Sequence, residues 1–179
     1  MTWRVVITGS ECTGKTTLAR AIARHLDSPW VAEPARTYAE ARGGVLSAAD
    51  VEPIARATVA LHDDAIAMAP ANLVFDTDLV STVVYARAYY GQCPAWIVGA
   101  AALRRGDLYL LCEPDLAWVP DGVRDRPDAR ERATMHQAFV AALGELGIPF
   151  VAVHGDGPSR TESALAAVAA ARTRRAELQ

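Results

Sequence analysis

Residues 9 to 17 read GSECTGKTT, a full match to G-x-x-x-x-G-K-[ST] through Gly9, Gly14, Lys15 and Thr16. A loop of this pattern points successive backbone N–H groups at one phosphate, and that requires glycine where a Cβ would collide or φ would be positive. It forms only where a strand feeds it and a helix leaves it. WRVVITG (3 to 9) reads as that strand, and TTLARAIARHL (16 to 26) as that helix, with Leu18, Ile22 and Leu26 on one face. The nucleotide-binding residues are therefore expected to be Gly9, Glu11, Cys12, Thr13, Gly14, Lys15, Thr16 and Thr17. Lys15 is the only lysine; every other basic residue is arginine. A compact ammonium fits between two phosphates where a planar guanidinium does not.

The rest of the chain repeats the alternation. WVAE (30 to 33), NLVFD (72 to 76), DLYLLCE (107 to 113) and IPFVAV (148 to 153) are short apolar runs. Helical patterns fall between and after them, at 50 to 69, 79 to 91, 94 to 104, 129 to 146 and 160 to 175. In the first of these, Val51, Ile54, Thr58, Leu61, Ala65 and Met68 form the expected inward stripe. The order predicts an α/β fold of the P-loop kinase type: one domain over 1 to 179, a five-stranded parallel sheet with helices on both faces. A net charge of −3 argues against sequence-independent nucleic-acid binding. Three widely spaced cysteines, with no apolar run of membrane-spanning length, point to a cytoplasmic protein off the membrane. A homo-oligomer is left open.

Absences narrow the P-loop classes. A guanine-specific N-K-x-D motif needs a second lysine, no L-S-G-G-Q signature occurs, and the chain lacks room for the helical lid domain of an AAA+ machine. A small-molecule kinase using ATP and Mg²⁺ remains, with a nucleoside-like acceptor as partner and a slow ATPase acting as a regulatory module as the alternative of another class. Thr16 is the expected Mg²⁺ ligand, joined by Asp76. Glu33 should stand at the carboxyl edge of the sheet, where such folds bind ligands. VFDTDLVST brings Asp76 and Asp78 to the same edge, and two-residue spacing in an extended segment would aim both carboxylates into one pocket. Asp78 also sits where a helix N-cap belongs. Glu33 and Asp78 are both candidates to hold or deprotonate the acceptor hydroxyl. Arg36 is placed to reach the acceptor, and Trp118 or Tyr38 to stack on a planar ring. The arginine-dense segment 120 to 132 is the candidate lid, with Arg124 and Arg126 over the phosphates and Arg130 and Arg132 on the helix behind.

In order and spacing, GSECTGKTTLA, AEPARTYAE, VFDTDLVST and DLYLLCEPDLAWVPDGVR resemble ribosylnicotinamide kinase domains of the NadR type. The resemblance covers nearly the whole chain. It implies ATP-dependent phosphorylation of the ribose 5′-hydroxyl of nicotinamide riboside to nicotinamide mononucleotide. With no H-x-G-H motif in this sequence, an adenylyltransferase activity is expected to come from another protein. In that family an aromatic residue directly precedes the strand-two glutamate and helps sandwich the pyridine ring. Here the position is Ala32, and Trp30 is expected on the same face. AEPAR and the arginine lid are also similar to deoxynucleoside kinases, in which a glutamate after strand two is the general base; a nucleoside kinase is the runner-up.

Overall fold

A computed structural model describes residues 2–118 and 128–177. Five strands, β1 (Trp3–Thr8), β2 (Trp30–Val31), β3 (Asn72–Asp76), β4 (Leu108–Cys112) and β5 (Phe150–Val153), form one sheet in the order β2-β3-β1-β4-β5. Every neighbouring pair is parallel. Among the described residues seven α-helices surround it: α1 (Lys15–His25), α2 (Pro34–Glu40), α3 (Val51–Ala67), α4 (Leu79–Tyr90), α5 (Ala95–Leu103), α6 (Ala129–Glu145) and α7 (Gly157–Glu177).

β1 is central because it is apolar on both faces. Val5 and Ile7 pack with Leu18, Ile22 and Val168 of α1 and α7, whereas Val6 packs with Val80, Phe139 and Leu143 of α4 and α6. The five strands on the sheet and six of these helices are those the sequence predicts; α2 is the helix it does not mark. Strand order reverses at β1, since β3 and β2 lie to one side and β4 and β5 to the other. That reversal opens a crevice beyond the carboxyl ends of the strands.

Some boundaries and one face differ from expectation. β2 ends at Val31 because Glu33 takes the N-cap position of α2, with Pro34 at its first turn. α7 starts at Gly157, three residues earlier than the apolar pattern indicates. In α3 the buried residues are Val51, Ile54, Ala55, Thr58 and His62, while Leu61 is 45% and Met68 82% exposed. His62 holds its place by stacking on Phe75, with ring centroids 3.9 Å apart, and burial pushes its pKa down to about 4.

Candidate active site

The phosphate loop closes on itself. Lys15 Nζ and Thr13 Oγ1 both donate to the Ser10 carbonyl, at 2.7 and 2.8 Å. Gly14 has φ 77° and Cys12 φ 54°, the left-handed conformations that turn backbone N–H groups inward. Gly9 has φ 132°, and a Cβ there would lie 2.8 Å from the Cys112 carbonyl oxygen of β4. α1 begins directly at Lys15 with no side-chain cap and no acidic residue in its first turn, so its N-terminal dipole faces the loop unopposed. Thr17 is exposed on that turn.

Thr16 Oγ1 donates to Asp76 Oδ2 at 2.6 Å, because the parallel register sets Asp76 beside Ile7 and so next to the loop. A hydroxyl and a carboxylate side by side at a phosphate loop are hard oxygen donors of the kind Mg²⁺ takes. The next residue, Thr77, has φ 70°. This left-handed step breaks the two-residue alternation, and Asp78 is not aimed alongside Asp76. Asp78 Oδ1 instead accepts the Val80 N–H at 2.9 Å as the cap of α4, and Oδ2 accepts the Tyr109 hydroxyl. Burial raises Asp78 to about 6, although those hydrogen bonds pull the other way. Burial, then the Asp78 carboxylate, holds Tyr109 well above the ordinary phenol range, so it stays the donor.

Beside the loop lies a cavity of about 680 Å³, walled by residues from α2, α3, α4 and α6 and by Glu11 of the loop itself. Glu33, Arg36 and Asp78 all line it. Glu33 is buried and makes no side-chain cap to α2 despite standing at its N-cap. Arg130, Glu131 and Thr134 of α6 form its exposed side. Arg132 turns away, buried, to donate to the Leu116 carbonyl at 2.9 Å.

The aromatic wall is not where the sequence places it. Trp30 lies 5.0 Å beneath the Arg20 guanidinium, against α1, and lines no part of the cavity. Ala32 is exposed. Tyr38 donates to Asp50 and sits under Arg42, and Trp118 is half-buried outside the cavity. The rings that do line it are Tyr85, Tyr89 and Tyr90 of α4. Tyr85 and Tyr89 stack with centroids 5.9 Å apart and donate to Glu11 Oε2 and Oε1 at 3.3 and 3.2 Å. The signal was present in YARAYY, where two tyrosines at i,i+4 share a helix face just after the D-T-D strand end. Arg160, equally unmarked in the sequence, is buried at the start of α7 and ties Asp115 to the Glu113 and Gly155 carbonyls. Arg124 and Arg126, the lid pair, lie outside the described residues.

Comparison with known families matches residues 4–160 to AAA_28, described as an AAA domain. That span is the P-loop core itself. The trifunctional NAD biosynthesis/regulator protein NadR of Escherichia coli K12 is 29% identical over 153 residues, 83% of this chain. Its counterpart from Salmonella typhimurium matches to the same extent. This chain spans 37% of the length of those curated relatives. Among solved structures, a NadR protein in complex with NR superposes with a TM-score of 0.75 at 27% identity, over 93% of this chain and 50% of that one. NadR with NAD and AMP-PNP gives 0.70 at 26%, over 93% and 48%. A deoxyadenosine kinase from M. mycoides shares the fold at 0.62 and 13%, over 93% and 99%.

Proposed function

The chain belongs to the AAA_28 family, and from that premise we propose that it is a kinase transferring the γ-phosphoryl group of ATP to the ribose 5′-hydroxyl of nicotinamide riboside. The observation that carries this reading is the juxtaposition of a complete phosphate loop, with its Thr16–Asp76 pair, and a half-open cavity with a buried carboxylate, Glu33, on its wall. The likeness to NadR, including the form bound to NR, supports that acceptor. AMP-PNP bound to a NadR protein supports ATP as donor. On this reading the kinase domain spans 1 to 179, with the lid around 120 to 132.

Phosphoryl transfer forms the bond between the acceptor O5′ and the γ-phosphorus and breaks the bond to the β,γ-bridging oxygen. ADP leaves, and the hydroxyl proton passes to a carboxylate. Thr16 and Asp76 would hold Mg²⁺, which when bound neutralises charge on the phosphates. Lys15 and the loop N–H groups hold the β- and γ-phosphates in place. Glu33 orients the acceptor hydroxyl and takes its proton. Asp78 is the weaker candidate, since both of its oxygens already accept protein hydrogen bonds. Arg124 and Arg126 supply donors over the transferring group. Most of the rate comes from positioning and charge neutralisation.

No helix among the described residues is long and apolar enough to cross a membrane, and none of Cys12, Cys93 and Cys112 is in a disulfide. Both are consistent with a cytoplasmic enzyme. Purified protein with ATP, Mg²⁺ and nicotinamide riboside should release ADP and form nicotinamide mononucleotide. Product from thymidine or deoxycytidine alone would overturn the acceptor. ATP binding with no acceptor-dependent ADP release would favour the regulatory module. Glu33→Gln should lower kcat by about 10²–10⁴-fold; normal turnover would remove Glu33 from the mechanism.

A further inference from the structure

The back of the phosphate loop is held by a side chain that no motif marks. Gly14 turns the loop into α1, which starts with no side-chain cap. A Cβ at Gly14 would lie 3.1 Å from Leu116 Cδ1 and 3.9 Å from Arg160 Nε. The turn therefore rests on two residues from distant elements, one just past β4 and one in the first turn of α7.

Arg160 is 4% exposed and draws those elements together. Its Nη1 donates to Asp115 Oδ1 at 2.6 Å and to the Gly155 carbonyl, and its Nη2 donates to the Glu113 carbonyl at 2.7 Å. Asp115 Oδ2 closes the ring by accepting the Gly155 N–H at 2.7 Å. One planar group thus fixes the tails of β4 and β5 and the start of α7 at the same point. These bonds set the guanidinium plane, and they leave Nε–H buried, without an acceptor, against the loop. Apolar side chains would fill the same space without an orphaned donor; what they could not do is fix three backbone segments in one register. The charge itself is not what reaches the ligand. Asp115 offsets the guanidinium at 2.6 Å, so Arg160 adds little net field at the phosphates. Strand order also separates it from the acceptor, since β4 and β5 lie on one side of β1, and neither Arg160 nor Asp115 lines the acceptor cavity.

We propose that Arg160, braced by Asp115, is a positioning residue for the triphosphate: it sets the Gly14 turn at the height where the loop N–H groups and the start of α1 meet the phosphates. A cradle of backbone donors works only when the whole turn is held close to the productive geometry. The proposal rests on the loop binding a nucleoside triphosphate, and not on which acceptor is used.

Calorimetric titration with ATP and Mg²⁺, and with inorganic tripolyphosphate in competition with ATP, tests this without any acceptor. Arg160→Lys keeps the charge but offers a point donor that cannot span the three acceptors. It should raise the Kd for ATP about tenfold while the number of sites per chain stays the same. Tripolyphosphate should weaken by the same factor, because the phosphates alone feel the loop. Asp115→Asn should raise both values severalfold. A merely structural role would lower the number of sites and leave the Kd of the folded fraction at the wild-type value, and that result would overturn the proposal. So would wild-type affinity in Arg160→Lys, which would mean that charge alone is required. A loss confined to ATP would also overturn it, by moving the effect of Arg160 to the base end of the nucleotide. Should Arg160→Lys fail to fold, Asp115→Asn carries the test, and an unchanged Kd there would sink the idea. Failure of the wild type to bind ATP would instead show the phosphate-loop reading at fault and remove the proposal with it.

Discussion

The two halves of the crevice are made by different means. The phosphate half is backbone: a loop shaped by glycines, a helix start and two side chains, Thr16 and Asp76, brought together by strand register. The acceptor half is side chain: a cavity lined from four helices, to which AEPAR and D-T-D bring Glu33, Arg36 and Asp78 while the tyrosine wall comes from α4. Geometry set by backbone tolerates almost no substitution and leaves a pattern in the sequence. Geometry set by side chains from separated helices leaves a weaker one, because the same tyrosines or glutamates serve as ordinary helix residues elsewhere.

That contrast predicts unequal responses to mutation. Lys15→Arg should act as a loss of function, lowering kcat/KM by about 10³-fold, since the guanidinium cannot take the ammonium's place between phosphates. If steady-state kinetics show normal turnover, the phosphate half is less exacting than the comparison holds. Gly9→Ala should weaken ATP binding by about 10²-fold and cost roughly 2–3 kcal/mol of stability. Its Cβ would lie 2.8 Å from the Cys112 carbonyl oxygen at a φ of 132°. Calorimetric titration with ATP and urea unfolding would check both parts.

On the acceptor side, Asp78→Asn sharpens the comparison through pH. Burial raises Asp78 from 3.8 to about 6, so the folded state binds the proton more tightly than the unfolded one. Its contribution is fully present below about pH 4 and is lost as pH rises through 6, a swing of about 3 kcal/mol. Asparagine caps a helix as well as aspartate does and should keep the α4 start. Denaturant melts from pH 4 to 8 should therefore show wild type losing ground to the variant across that window; parallel curves would mean Asp78 titrates normally. His62, lowered to about 4, acts in the opposite sense between 6.5 and 4, so the difference from the variant is the quantity to follow. Smallest of all, Trp30→Ala should leave the acceptor KM within about twofold, as its ring packs on Arg20 away from the cavity. A tenfold rise would place an aromatic from β2 in the acceptor wall after all.

What was legible follows the same division. Continuous apolar runs marked all five strands, and the loop marked the nucleotide end. The D-T-D segment was legible as chemistry but not as geometry: nothing in Thr77 announces a φ of 70°, so even spacing suggested that Asp76 and Asp78 share a pocket. Periodicity put Leu61 inward in α3, but the buried arc is centred on Thr58 and His62 because an imidazole can stack on Phe75. Two-residue spacing put Trp30 on the face of Ala32, and the cation on α1 claims its ring instead.

Gly9 also bears on how the molecule is assembled. The loop is contiguous in sequence, but its floor is the Cys112 carbonyl of β4, contributed from more than ninety residues further along the chain. β1 must pair with β4 before that floor exists, so the nucleotide site is a late, long-range product of folding. A ligand that binds only the finished site cannot hasten its formation and should act on the reverse step. ATP is then expected to slow unfolding while leaving the refolding rate nearly unchanged.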